Sequence, residues 1–565
     1  LRVDLYSHLQ WLSLRFFQKR SVGALISRIM HDTQSLENVI ADGIQHFVVN
    51  ILSLIGIGVV MISINWQLTV LTLIPVPIVI VVSRFLWKHL RGLWHRYMYY
   101  RARLSASVND VLSGIRVVKA FGKEEDEIIR FCKDSAELQS SDQRAEQTWA
   151  TWFPCLWFIT STGSLLVWYF GGQQVITQRV TLGILMTFQS YLAMFYGPLQ
   201  FLSRIADYLA RSLTSAERVF EILDSERDIQ PEEDIVPLPS MRGRVELKNV
   251  TFSYEAGRPA LKNISFTVNE GEMVGLVGHT GAGKTTTVNL ICGFYEPQQG
   301  EVLIDGIKVR KIKRSDLRKQ VGVVLQDTFL FNGTIAENIA YAKPDADELE
   351  IIRAAKAANA HDFIVHKPDG YDTKVGERGQ ALSAGERQRI AIARAILHNP
   401  RILILDEATA AVDVETEQHI QEAINRLVEG RTTLAIAHRI GTLSHANTLL
   451  VFKEGEIVEA GPPLELIARK GELYRLLNIS TGNIGNVEQM FTRNKRQPEQ
   501  DESISSVDFL RILQPQKLHF IRDGALLRVI VEDEFSVDNA VILRAFPLSN
   551  ASRYFSIYER EGKEI

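Results

Sequence analysis

Cysteine is scarce: Cys132, Cys155 and Cys292 are the three in 565 residues, and they are scattered with no metal-ligand spacing. That excludes a disulfide framework and a thiolate metal site, and points to buried free thiols in a reducing compartment. Charge is missing in long runs. No Asp, Glu, Lys or Arg occurs over the 37 positions from Phe47 to Ser83, nor from Thr148 to Gln178, nor from Val180 to Ser203. Proline is absent between Pro77 and Pro154, so long helices can run there without the break that proline imposes. No secretory signal pattern is visible; Leu1 to Asp32 already reads as helix, with Leu5, Leu9, Leu12 and Phe16 at helical spacing. The formal net charge of −3 argues against a nucleic-acid binder. What is present is length and apolar content, 565 residues at 46% hydrophobic, enough for about two to four units.

The uncharged run from Phe47 is about twice the length needed to cross a hydrocarbon layer of about 30 Å. It reads as two spans, about 47–64 and 68–86, joined at Asn65-Trp66-Gln67 with the tryptophan at an interface. Two more spans are expected at about 150–176 and 180–203, separated by Arg179. Insertion of an arginine at a span centre costs about 2.5 to 3.5 kcal/mol, so Arg179 and Arg204 belong at span ends. Four such stretches outweigh the alternative of buried soluble-core helices. Between the second and third spans lie Arg84, Lys88, Arg91, Arg96, Arg101, Arg103, Arg116, Lys119 and Lys123, whereas the short loop at Trp66 has no such charge. That asymmetry puts the long segment and the C-terminal half in the cytoplasm, with the spans in the inner (plasma) membrane. The long helices are expected to break near Gly114 and Gly122.

Gly278-His279-Thr280-Gly281-Ala282-Gly283-Lys284-Thr285 completes the loop G-x-x-x-x-G-K-[ST] directly after the apolar run Met273 to Val277. Glycines at Gly278, Gly281 and Gly283 let backbone N–H groups turn around phosphate oxygens, and the following helix aims its N-terminus at the same charge. Lys284 reaches the β- and γ-phosphates, Thr285 a magnesium ion, and Thr286 extends the cradle, so ATP and Mg2+ are the expected ligands. Around the loop, short β-branched strands alternate with helices from Val245 onward, the pattern of a mostly parallel α/β sheet. Ile402-Leu403-Ile404-Leu405 reads as a buried strand ending in Asp406, suited to magnesium, and Glu407, suited to a general base that polarises the attacking water.

Leu382-Ser383-Ala384-Gly385-Glu386-Arg387-Gln388-Arg389, shortly before the carboxylate strand, resembles the signature motif of ABC transporter ATPases. The resemblance implies further roles, in family order. Tyr254 matches the aromatic that stacks on adenine, Gln326 the glutamine that senses magnesium and the attacking water, and Glu377-Arg378-Gly379 the sequence before the signature in exporters. Asp413 matches the loop that communicates with the opposite ATPase domain, and His438 the histidine that contacts the γ-phosphate. Ser383 and Gly385 match the residues that face the partner's nucleotide. Phe16-Phe17 with Gly23 to Arg28 and Asp32, and Ser113 to Phe121, are similar to the two cytoplasmic loops of ABC exporters that carry coupling helices. Ala384 stands where the family most often has glycine, and Glu386 where it often has glutamine.

The resemblance covers residues 1 to 478 and implies a fold with a helical membrane domain and an α/β P-loop ATPase of ABC type. The expected divisions are a transmembrane exporter domain at 1–220, a linker at 221–240, the ATPase at 241–478, a polar linker at 479–506 and a small β-rich domain at 507–565. The exporter fold has six spans, so one or two are expected to be missing before Leu1. The stretch Val541 to Ser549, with Gly562-Lys563-Glu564-Ile565, resembles a small domain accompanying some bacterial ABC transporters linked with cyanophycin metabolism, a regulatory add-on that stops before its own end. The function implied is ATP-driven export or lipid flipping by a half-transporter. Its partner would be a second half-transporter, most simply another copy of this chain, with the bilayer and an unread cargo as its other contacts. The alternative is a non-transporting ATPase that uses nucleotide-driven dimerisation to signal or gate.

Overall fold

The computed structural model describes residues 1–228, 230, 235–238, 240–255, 257–326, 328–406, 414–436, 443, 445–481, 517–523, 526–531, 535–537, 540–550 and 553–558. The chain divides into two compact units, Leu1–Asp228 and Ile229–Ile565.

The first unit is all helix, and its lengths follow from its apolar runs. The helix Ile44–Leu73 is interrupted at Asn65, whose backbone is extended at φ −162° and ψ 103°. There the Asn65 side chain accepts the N–H of Leu68 at 3.1 Å and donates to Gln174 at 2.7 Å, so it caps the helix that follows. After Ile74 the chain continues as the helix Pro75–Ser113, with proline in the first turn where its missing N–H costs nothing. This helix stops at Gly114, a short helix Ile115–Phe121 follows, and Gly122 ends it in the left-handed region at φ +60°. Both breaks fall at the glycines singled out in the sequence. The helix Glu124–Ile176 then runs back along Pro75–Ser113. Trp87 faces Trp149 and Phe85 faces Trp152 in the apolar part, and Arg103 pairs with Asp134 at 2.7 Å and Glu137 at 3.0 Å in the charged part. The last helix, Leu182–Leu223, opens with Thr181 as its cap.

Two described helical stretches, Val22–Leu73 and Glu124–Ile176, are long and apolar enough to cross a membrane by length and composition. Large apolar side chains point outward along these helices: Leu52, Val59, Ile62, Trp157, Phe158 and Leu165 are each more than half exposed, as is Val81 on the helix Pro75–Ser113. A water-facing surface does not present a continuous band of this kind, whereas a lipid-facing one does. At the other end of the unit, Leu5, Leu9, Leu12 and Leu25 bury against Val219 and Ile222 of the last helix. Arg20 and Arg28 both pair with Glu221, at 2.6 and 2.9 Å, and the hydrogen bond from Arg20 leads in holding that carboxyl below the usual range.

The second unit is built on two sheets. An antiparallel sheet contains β1 (Val245–Phe252), β2 (Leu261–Val268), β4 (Gln299–Ile304) and β5 (Ile307–Lys308), in the order β2-β1-β4-β5. The larger sheet contains β3 (Met273–Gly278), β6 (Val321–Val324), β7 (Ile402–Asp406), β8 (Thr432–Ile436), β9 (Thr448–Lys453) and β10 (Glu456–Gly461), in the order β10-β9-β3-β8-β7-β6. β9, β3, β8, β7 and β6 are parallel, and β10 is added antiparallel at the edge. β3, β7 and β8 are buried almost throughout because both faces are covered. One face shares a core with the antiparallel sheet and the helix Lys284–Ile291, and the other packs on the helices Glu348–Ala357, Ala384–His398 and Val414–Val428.

Beyond these lie β11 (Leu518–Asp523), β12 (Leu526–Val531) and β13 (Phe535–Val537) in a three-stranded sheet, and β14 (Val541–Arg544) paired with β15 (Phe555–Tyr558). Ala545, Phe546 and Tyr558 are buried in the same core as the helices of the larger sheet.

All three cysteines are free, but only Cys292 is buried; Cys132 and Cys155 lie on outward faces of their helix, which corrects the expectation of three buried thiols. Burial pushes the Cys292 thiol up to about 12, so it stays protonated and unreactive near neutral pH. Iodoacetamide at about pH 8 should modify Cys132 readily and leave Cys292 intact until the protein is denatured, as read by peptide mass spectrometry.

Candidate functional site

The parallel strands bring the sequence motifs to one edge. β3 ends at Gly278, β6 at Val324 two residues before Gln326, and β7 at Asp406, with Asp406 in register with Ile436 at the end of β8. The carboxyl ends of parallel strands are where α/β sheets bind ligands, because the loops there leave the sheet together. Glu407, Asp413 and His438 lie outside the described residues; in sequence, Glu407 directly follows β7 and His438 stands two residues after β8.

The loop itself is shaped by backbone that only glycine adopts freely. Gly278 sits at φ +152°, and a Cβ there would come within 2.3 Å of the Phe452 carbonyl oxygen on β9. Gly283 sits at φ +109° with Leu261 and the Ala260 carbonyl too close for a side chain. Gly281, at φ +81°, has nothing within 4 Å of where a Cβ would stand, so its side of the loop is open. The Lys284 side chain is buried, and its Nζ donates to the carbonyl oxygens of Gly278 at 2.6 Å and His279 at 3.0 Å, closing the loop from inside. Thr285 is exposed at the helix N-terminus, whereas Thr286 is buried.

Tyr254 stands just past β1. Its hydroxyl donates to Thr286 Oγ1 at 3.3 Å, and its ring meets Phe252 and Tyr295 edge-on at 5.0 and 5.2 Å. It is therefore fixed beside the helix that follows the loop. Thr285, Gln326 and Asp406 supply a hydroxyl, an amide and a carboxylate, hard oxygen donors of the kind magnesium takes. Thr285 and Gln326 are exposed and Asp406 is half-buried, so all three remain within reach of solvent.

Ser383 is the cap of the helix Ala384–His398. It accepts the Glu386 N–H on its hydroxyl at 3.2 Å while Glu386 accepts the Ser383 N–H at 2.7 Å, a reciprocal capping box. Ser383 is exposed and Gly385 buried. Glu386 is also paired with Lys367 at 2.9 Å, a residue that no sequence motif singled out. The signal was present as an unmatched carboxylate in the signature, but its cation is 19 positions upstream in an irregular segment. Burial alone would push the Glu386 carboxyl up; the hydrogen bonds from Lys367 and the Ser383 N–H, with the ammonium's charge, hold it below the usual carboxylate range.

The family model for the ABC transporter transmembrane region matches residues 1–199, and that for the ABC transporter matches residues 261–410. The ATP-dependent lipid A-core flippase of Syntrophus aciditrophicus is 40% identical over 476 residues, 84% of this chain and 79% of that protein. A fatty acid ABC transporter ATP-binding/permease protein of Mycobacterium bovis is 39% identical over 479 residues, 84% of this chain and 75% of that protein. The solved structure of a bacterial Atm1-family ABC exporter with ATP bound matches with a TM-score of 0.72 at 31% identity, over 85% of this chain and 84% of that one. The chain belongs to the ABC transporter family, as an exporter-type half-transporter with its transmembrane and ATPase domains fused in one polypeptide. It is a membrane protein that binds nucleotide and hydrolyses ATP to drive export.

Because the Glu386 carboxyl sits below its unfolded value, about 4.3, its contribution to stability is complete above that pH and is lost as pH falls through the folded value. Thermal unfolding of the detergent-solubilised chain between about pH 7 and about pH 3 should show a shallower acid limb for Glu386→Gln than for the wild type.

Proposed function

We propose that this half-transporter works as a homodimer in which each nucleotide is held between Lys284 of one chain and Ser383 of the other, and that its cargo is a lipid-like amphiphile. The observation that carries the two-chain reading is the exposed position of Ser383 at the cap of its own helix. The loop at Gly278, Gln326 and Asp406 share the sheet edge, while Ser383 makes its described hydrogen bonds within its own helix cap.

In this reading Gly278, Gly281 and Gly283 shape the phosphate cradle, Lys284 reaches the β- and γ-phosphates, and Thr286 anchors Tyr254 as the platform for adenine. Ser383 and Gly385 bind the phosphates held by the partner. Thr285, Gln326 and Asp406 would hold Mg2+, which when bound neutralises charge on the transferred phosphoryl group. Glu407 polarises the attacking water, Gln326 orients it, His438 donates to the γ-phosphate and Asp413 relays the state of the opposite domain. Closing the dimer takes differential affinity. Moving an equilibrium from about 1:99 to about 99:1 needs roughly 5.5 kcal/mol of preference for the closed form, which two enclosed triphosphates are suited to supply. Hydrolysis removes that preference and the dimer reopens.

The helices at Leu14–Gln18, Val22–Ser27 and Ile115–Phe121 are the elements that would carry this motion to the spans. The spans read from the sequence at about 47–64, 68–86, 150–176 and 180–203 support a multi-pass protein of the inner membrane with its ATPase on the cytoplasmic side. The lipid-like cargo is supported by the names of two relatives, a lipid A-core flippase and a fatty acid transporter. Residues 507–565 are read as a regulatory addition, in keeping with the resemblance of Val541 to Ser549 to the domain of cyanophycin-linked transporters.

In proteoliposomes, Glu407→Gln should bind ATP as the wild type does and lose nearly all turnover and lipid movement, whereas Lys284→Ala should lose ATP binding itself. Near-normal turnover of Glu407→Gln would overturn the base assignment, and ATPase activity that no lipid stimulates would overturn the cargo class.

A further inference from the structure

The pair β14–β15 and the turn between them dock on the segment from His361 to Asp372, which leads toward the signature motif. The Tyr371 N–H donates to the Ala545 carbonyl at 2.8 Å, and the Tyr371 ring stacks on Phe546 at 4.9 Å. His361 lies between the Tyr371 hydroxyl at 2.8 Å and the Ser556 hydroxyl at 2.9 Å, and the Tyr558 hydroxyl donates to Asp362 at 3.0 Å. Asp372 accepts the N–H groups of Leu548 and Ser549, both at 3.0 Å, and the Ser549 hydroxyl at 2.7 Å. His361, Phe546 and Tyr558 are each 2% exposed, and Tyr371 is fully buried. Gly370 takes φ +51°, and a Cβ there would lie 2.4 Å from the Ala545 carbonyl, so the backbone is built for this approach. Buried, satisfied polar groups and close backbone contact make this a permanent core interface.

The clamped segment carries Lys367, and Lys367 holds the signature cap. Its ammonium is 2.9 Å from Glu386, the carboxylate that accepts the Ser383 N–H and whose own N–H is accepted by the Ser383 hydroxyl. A second tie joins the same elements, since the Arg389 guanidinium lies over the Phe363 ring at 4.6 Å. Lys367 and Glu386 are only about one-fifth exposed, at 21% and 19%, so removing the lysine would leave a largely covered carboxylate without its cation.

We propose that the C-terminal hairpin is a clamp on the segment from His361 to Asp372, and that Lys367 is the positioning residue through which it sets Ser383. The inference rests on the reading that Ser383 completes the partner chain's nucleotide site. Lys367 touches no nucleotide; it acts by fixing the cap from which Ser383 projects.

The test is the ATP dependence of turnover by the full chain in proteoliposomes. Lys367→Ala should raise the ATP concentration for half-maximal turnover about three- to tenfold with a smaller change in kcat. Lys367→Arg should restore it, and so should adding Glu386→Gln to Lys367→Ala, because the unpaired carboxylate is then gone. Phe546→Ala and the milder Ser549→Ala should shift the ATP dependence in the same direction and add little to Lys367→Ala. Unchanged ATP dependence in Lys367→Ala overturns the positioning role. Hairpin variants that only lower Tm overturn the clamp. Ser383→Ala separates the two layers. If it leaves turnover intact, the two-chain reading itself falls; if it abolishes turnover while Lys367→Ala behaves as wild type, the present inference alone falls.

Discussion

The nucleotide unit depends on one strand stopping where it does. Met273–Gly278 is buried along its whole length between β9 and β8, so its register is set on both sides by parallel ladders. At its last residue the backbone passes so close to the Phe452 carbonyl that no side chain fits, and the chain must turn out of the sheet. The turn is therefore a consequence of packing as much as of local preference. Once it is made, the helix Lys284–Ile291 starts at a set place, and Lys284 folds back to bond the carbonyls of Gly278 and His279. These bonds hold the ammonium inside the loop, where the phosphates of the proposed nucleotide would meet it.

The membrane unit answers a different solvent. Its long helices pair backbone groups along the chain, as a bilayer demands, and leave bulky apolar side chains on the outside. Where a reversal is needed, the backbone breaks at one residue, Asn65, and that residue's own amide replaces the lost helical bonds. At the charged end the logic returns to that of a soluble protein. Leucines from the start of the chain bury against Val219 and Ile222, and Arg20 and Arg28 converge on Glu221. The exposed ion pairs contribute little individually, about 0 to 1 kcal/mol, so the leucine cluster carries the packing and the arginines set its register.

Much of the architecture was readable from the chain because it rests on local or strictly periodic signals. The loop at Gly278 lies on a strand-turn-helix, Ile402–Leu405 is a fully buried strand, and the helix breaks at Gly114 and Gly122 are where glycine ends a helix. The cysteines were misjudged for a physical reason. Free thiols are usually buried in a water-soluble core, but Cys155 is on the apolar part of the helix Glu124–Ile176, whose outer face is apolar already, and Cys132 is on the charged part of the same helix. Lys367 and the docking of the hairpin were invisible because they are tertiary. Nothing in the run from His361 to Gly370 shows periodicity that would announce a partner 177 residues away, as Asp372 has in Ser549.

The carboxylate at Glu386 shows how a local departure becomes a tertiary requirement. An amide at the third position of the helix could close the capping box and remain neutral. A carboxylate closes it with a stronger, charge-assisted bond to the Ser383 N–H, but its second oxygen is then charged and largely covered. Such a group raises its own pKa or finds a cation, and here it finds Lys367 and stays ionised. The lysine has to be brought to it, and the segment that brings it is short and irregular, with little helical structure beyond His361–Val365. Irregular backbone holds a position only if something packs on it. The stacking of Tyr371 on Phe546 and the three bonds to Asp372 supply that packing from a stretch of chain that has no part in the ATPase sheet. The charge in the signature and the hairpin at the end of the chain are thus two ends of one mechanical arrangement, in which a gain in cap strength is matched by a dependence on a distant support.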